Sequence, residues 1–131
     1  MDDKQHRWRP PAKRRTPERL AAYHREAELA REAIDRRDAD AAMHHLERAH
    51  ILGQPWPGAH SWTHWMMLRL GLSVGDWREV AGQVLRLAAG GLFSIAGWLP
   101  DGNTGRARVS SIKSMEPPAD LVALCGGDKT P

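Results

Sequence analysis

Three histidines, His50, His60 and His64, hold the clearest potential chemistry in this sequence. His60 and His64 stand four apart in AHSWTHWMMLRLG, a segment of helical pattern. At about 100° per residue they share a stripe with Met67 and Gly71, and Arg69 falls opposite. Arg69 should face water, so both rings should face the interior. Positions four apart on a helix have Cβ atoms about 5–6 Å apart, a span over which two imidazoles can meet one metal ion, as in helical zinc enzymes. His50 falls in the stripe of Ala42, Met43, Leu46 and Ala49 and should also point inward. Glu47 precedes it by three, and Glu-x-x-His is the ligand unit of carboxylate-rich di-metal bundles. An earlier helix could add Glu28 or His24. The candidate ligands are His50, His60 and His64, with Glu47 and Glu28 as carboxylate partners or as acceptors for a ring N–H. His44 and His45 project away from the stripe and should lie on the surface, and His6 lies in an N-terminal arm.

Three chemistries compete for these rings. A divalent transition metal is the first: imidazole with carboxylate suits zinc or iron, and imidazole alone leaves copper open. Met43, Met66 and Met67 could favour cuprous copper, but methionine at helical spacing also serves as core filler. Hydrogen bonding within the core is the second, because a buried histidine needs a partner. Haem is the third. Elsewhere the signals are weaker. Ser110, Ser111 and Lys113 come with no base or oxyanion pattern. Gly102-Asn103-Thr104-Gly105-Arg106 follows a helix and does not open one, so it is no phosphate loop. Cys125 lies too near the end of the chain for a confident ligand.

Four helices must position the histidines. Thr16-Pro17-Glu18 combines a hydroxyl cap, proline in the first turn and an acid at the positive helix end, which starts a helix running to about Arg36. Leu20, Tyr23, Ala27, Ala30 and Ile34 form its apolar stripe. Asp38 caps a second helix over about 39–52. The proline-rich stretch Gly53–Gly58 forms a loop, and a third helix covers about 59–72. Asp76-Trp77-Arg78-Glu79 fits a capping box for a fourth helix, which ends near Gly90 or continues to Ala96. At a spacing of 38, Leu29, Ile34, Asp38, Ala42 and Leu46 align with Met67, Leu72, Asp76, Val80 and Val84. Each unit is helix, Asp-capped turn, helix. The expected fold is all-α: two antiparallel helical hairpins with tetratricopeptide-like packing and an extended C-terminal tail. Two units fall short of a true repeat array. The expected divisions are a flexible basic arm over 1–15, one helical domain over 16–121 and a disordered tail over 122–131. Val109, Ile112, Met115 and Leu121 anchor the extended part.

At 131 residues the chain suits a single modest core. Six tryptophans against one Phe and one Tyr suggest a tryptophan-rich core or pocket wall. The net charge of +3 is uneven: residues 1–19 hold seven Lys/Arg and three Asp/Glu, leaving 12 basic and 13 acidic residues for the body. A basic face, the footprint of a nucleic-acid reader, is therefore not expected. No run approaches the roughly 18 apolar residues of a membrane helix. A single cysteine and an N-terminus without an apolar stretch lead to the expectation of a cytoplasmic protein.

HLERAHILGQ (45–54), the HxxxHWMMLRLG segment (60–71) and NTGRARVSSIKSM with a later PADL (103–121) together resemble a small bacterial helical family catalogued only as a domain of unknown function. The resemblance spans about residues 26–121 and implies a compact helical domain with no activity to carry over. The function expected is a metal-binding helical protein with a buried His/Glu site. The alternatives are an interaction module that holds a protein partner or a second copy of itself, and a haem protein or metal-dependent enzyme. An enzyme ranks below simple binding, because no acid–base pair or nucleophile stands out.

Overall fold

The cap signals of the first, second and fourth helices fold as read. In the computed structural model, which describes residues 15–96 and 117–125 (residues 90–96 as backbone alone), helix α1 covers Pro17–Asp35. Thr16 caps it, its hydroxyl accepting from Arg19 N at 3.1 Å. The chain turns through Arg37, whose φ of 58° is left-handed, with Arg37 N and Asp38 N returning to Ile34 O and Ala33 O at 2.9 Å each. Asp38 caps α2, Ala39–Gly53, by accepting from Ala41 N at 3.0 Å.

Helix α3 spans Pro57–Val74, two residues earlier than the proline content suggests. Pro57 occupies the first helical turn, where its missing N–H has no intrahelical partner to lose, so the expected six-residue loop shrinks to Gln54–Trp56. Gly75, at φ 75°, ends α3 in the left-handed geometry that glycine adopts at little steric cost. Asp76 then accepts from Glu79 N at 3.1 Å and opens α4, Trp77–Ala96. The fold is all-α, with no strand among the described residues. No helix among them is long and apolar enough to cross a membrane.

Helix α1 packs on α2, α3 on α4, and α2 on α3. The core is built from alanine, leucine and methionine. Ala22, Tyr23, Ala27, Ala49, Ile51 and Leu52 form one cluster, and Ala30, Ala33, Ala42, Leu46, Met66, Met67 and Leu70 form the other. The facing alanines let α1 and α2 approach closely, which leaves little room for indole rings. Among the described residues the indoles therefore serve a pocket wall and not the core: Trp62 is half-buried against both clusters, Trp65 and Trp77 are 50% and 69% exposed, and Trp62 and Trp65 line a pocket with Arg31 and Arg69.

Two buried charges do structural work at the α1–α2 contact. Arg19, 1% exposed, donates from Nε to Leu52 O at 2.9 Å and from Nη2 to Ile51 O at 3.0 Å, satisfying carbonyls that the end of α2 leaves without helical partners. Glu26 receives His45 Nδ1 and Arg48 Nε, each at 2.8 Å. Arg48 reaches on to Asp120 Oδ1 at 3.2 Å, and this hydrogen bond holds the Asp120 carboxyl below its usual range. Asp120 belongs to a turn at 119–125 that seats Leu121 and Cys125 in the first cluster. Cys125 is four residues past the end expected for the folded unit. The arm at 1–14, the anchors Val109, Ile112 and Met115, and residues 126–131 lie outside the described residues.

Candidate metal centre

The last turn of α2 carries His50, and the first two turns of α3 carry His60 and His64. The connection of Gln54–Trp56 is too short to separate these ends, so the three rings meet where α2 packs on α3. They are 3%, 2% and 3% exposed. Their ring centroids are 4.5 to 4.8 Å apart. All three turn the same nitrogen inward: Nε2 of His50 lies 3.0 Å from that of His60 and 3.2 Å from that of His64, and the His60–His64 pair is 2.9 Å apart. The inward orientation read from helical spacing is what the structure shows. The three are close enough to hold one metal ion.

Elementary hydrogen-bond counting shows what this triangle can do. In a neutral imidazole each nitrogen either carries a hydrogen or offers a lone pair, and never both. With three Nε2 atoms in mutual contact, at least two must be of the same kind. One edge of the triangle therefore sets hydrogen against hydrogen or lone pair against lone pair, whatever the tautomers. Protonating a ring is opposed at His64, where burial first, with a smaller contribution from the Arg86 charge, lowers the pKa to about 4 against the favourable Gln83 and Glu79 interactions. A cation accepting three lone pairs removes the conflict. Metal–imidazole bonds of about 2.0–2.1 Å in a tetrahedral site put ligand nitrogens about 3.3 Å apart, a few tenths of an ångström beyond the edges seen here.

The carboxylates expected beside the histidines do not join them. Glu28 sits on the exposed face of α1 and pairs with Arg31 at 3.1 Å. Its position at the edge of the stripe turns it to water, because alanines and not Glu28 fill the contact with α2. Glu47 is half-buried and outside the ligand group. His24 and His44 are exposed. His45, expected at the surface, is half-buried through its contact with Glu26.

Helix α4 supplies what the sequence reading missed. His64 Nδ1 lies 2.6 Å from Gln83 Oε1, and Gln83 Nε2 lies 2.6 Å from Glu79 Oε1 and 3.4 Å from Met67 Sδ. Gln83 and Glu79 are 0% and 1% exposed. Gly71 makes room for this: a Cβ there would meet Val80 Cγ2 at 3.2 Å and Glu79 Cβ at 3.5 Å, so glycine lets α4 close on α3 at the level of Glu79. A signal existed in the spacing, since Glu79, Gln83 and Arg86 recur at 4 and 3 residues and form a polar stripe. Such a stripe reads as a solvated face unless something polar waits beneath it.

The family model described as "Protein of unknown function (DUF3703)" matches residues 18–125, and the chain belongs to that family. No curated protein and no solved structure matches the chain.

Proposed function

We propose that this protein binds one divalent transition metal ion through His50, His60 and His64. The observation that carries this reading is the convergence of three buried Nε2 atoms at 2.9 to 3.2 Å, a contact that neutral imidazoles cannot satisfy among themselves and that a cation can. Zinc and iron suit an all-imidazole set, and copper remains open on the same chemistry. Glu47, one turn from His50 and half-buried, is the nearer of the two sequence-expected carboxylates to this role; Glu28 is turned away. Binding, for sensing, storage or delivery, is favoured over catalysis, since among the described residues no acid–base pair or nucleophile stands out beside the histidines.

A second reading, an interaction module that pairs with another copy, draws on the apolar side chains left outside. Trp77 is 69% and Leu85 71% exposed on α4.

Protein purified without an affinity tag separates the two. Elemental analysis should find about one metal per chain, with zinc or iron first. A chain that takes up no metal after reconstitution with zinc, iron and copper overturns the metal reading. If that metal-free chain also elutes as a dimer, the second reading takes its place.

A further inference from the structure

A cation needs a lone pair from each of three rings, yet nothing inside the histidine triangle decides which nitrogen of a ring carries its hydrogen. For His64 the decision is made on α4. We infer that Glu79, acting through Gln83, fixes the hydrogen of His64 on Nδ1 and so presents Nε2 as a bare ligand atom. The inference rests on the metal-binding reading for its purpose, while the position of the hydrogen stands on its own.

Glu79 is the anchor. A carboxylate accepts hydrogen bonds and donates none. Its Oε1 lies 2.6 Å from Gln83 Nε2, so the amide must turn its NH2 toward Glu79. The same NH2 lies 3.4 Å from Met67 Sδ, a weak acceptor, which favours the same orientation. The other end of the amide is then its carbonyl, and that Oε1 sits 2.6 Å from His64 Nδ1. A carbonyl oxygen cannot donate either, so the hydrogen in this contact belongs to Nδ1. The neutral ring has one N–H, which leaves Nε2 bare and aimed at His50 and His60. Carboxylate, amide and imidazole thus form a directional chain in which an acceptor-only group sets every hydrogen down to the metal-facing nitrogen. Gln83 and Glu79 are positioning residues: they touch no metal and determine which atom can.

Two measurements on the full chain test this. Long-range 1H–15N NMR of the metal-free protein reads each histidine's protonated nitrogen directly, and His64 should carry its hydrogen on Nδ1. Titration with Co2+, whose absorption reports coordination, then compares variants. E79Q frees the amide to turn over, and Q83M removes the acceptor. Each should weaken Co2+ binding about 10–100-fold, and E79Q should show both His64 tautomers. The double variant E79Q/Q83E puts a carboxylate beside Nδ1 and an amide behind it. It should restore the single tautomer and bring affinity back to within about threefold of wild type. A merely structural role predicts no such rescue and no tautomer change. A wild-type His64 protonated on Nε2, or single variants that bind Co2+ as tightly as wild type, overturn the inference. If the wild-type chain binds no metal at all, the functional reading fails, and the tautomer spectrum still decides this one.

Discussion

At the scale of single residues, the three histidines separate two kinds of buried polar cluster. A hydrogen-bonded core cluster is finished without ligand, and removing one member leaves its partners unsatisfied at about 1–3 kcal/mol. The Nε2 triangle is unfinished, since one of its three contacts is unfavourable in any neutral arrangement. H50Q distinguishes the two cases. Glutamine offers a donor and an acceptor where the ring offers one or the other, so it can relieve the conflict. The metal-free variant should unfold within about 1 kcal/mol of metal-free wild type. Wild type should gain about 2.7 kcal/mol when metal is present at 100 times its Kd, and the variant should gain almost nothing. Chemical denaturation with and without zinc measures both. A large loss in the metal-free state would assign the cluster to structure. The histidines themselves were legible in the sequence, because helical spacing alone turns His60 and His64 away from Arg69. Gln83 was not, since its role depends on a helix packing that no local pattern encodes.

At the scale of elements, caps and prolines set the helix ends, and a few close approaches set how the helices sit. Asp38 and Asp76 each accept from the N–H three residues on, as their spacing in the sequence suggested. Pro57 read as a breaker but starts α3, because the same ring that disrupts a helix interior is tolerated in its first turn. Arg19 and Glu26, which the apolar stripe of α1 does not include, are buried by specific partners on α2. Gly53 tests how tightly this arrangement constrains the metal centre. A Cβ at this position would lie 3.0 Å from two atoms of the Tyr23 ring and 3.3 Å from Ala59 Cβ. Tyr23 is packed in the first cluster and cannot withdraw freely. G53A should therefore destabilise the protein by about 1–3 kcal/mol, the usual range for overpacking. That exceeds the few tenths that alanine gains over glycine at a helix end. Because Gly53 lies less than one turn from His50, metal affinity should fall with it. Paired denaturation and zinc titration would check this, and an unchanged affinity would show that the end of α2 can shift without moving its histidine.

At the scale of the whole molecule, the candidate metal centre lies where the two halves meet. Helices α1 and α2 form one packed pair and α3 and α4 the other, and α3 joins them through its contact with α2 and with Tyr23 and Arg31 of α1. His50 comes from the first pair, while His60 and His64, with Gln83 and Glu79 behind them, come from the second. An ion held by all three histidines is then a cross-link between halves as well as a bound ligand. Native proteins open in cooperative units whose free energies range from near zero to the global value. Separation of the two pairs would be one such opening, and it would break the metal site. Metal should therefore suppress that opening while leaving fraying within each pair unchanged. Amide hydrogen exchange gives the readout: zinc should slow exchange in the last turn of α2, through α3 and in α4 near Gln83 together, by a factor that rises with free zinc as mass action requires. Amides in the last turn of α1, at the end of the first pair remote from His50, should change only to the extent that they exchange through global unfolding. Slowing confined to the few amides around the three histidines would mean that the ion is held locally and that the two halves are joined without it.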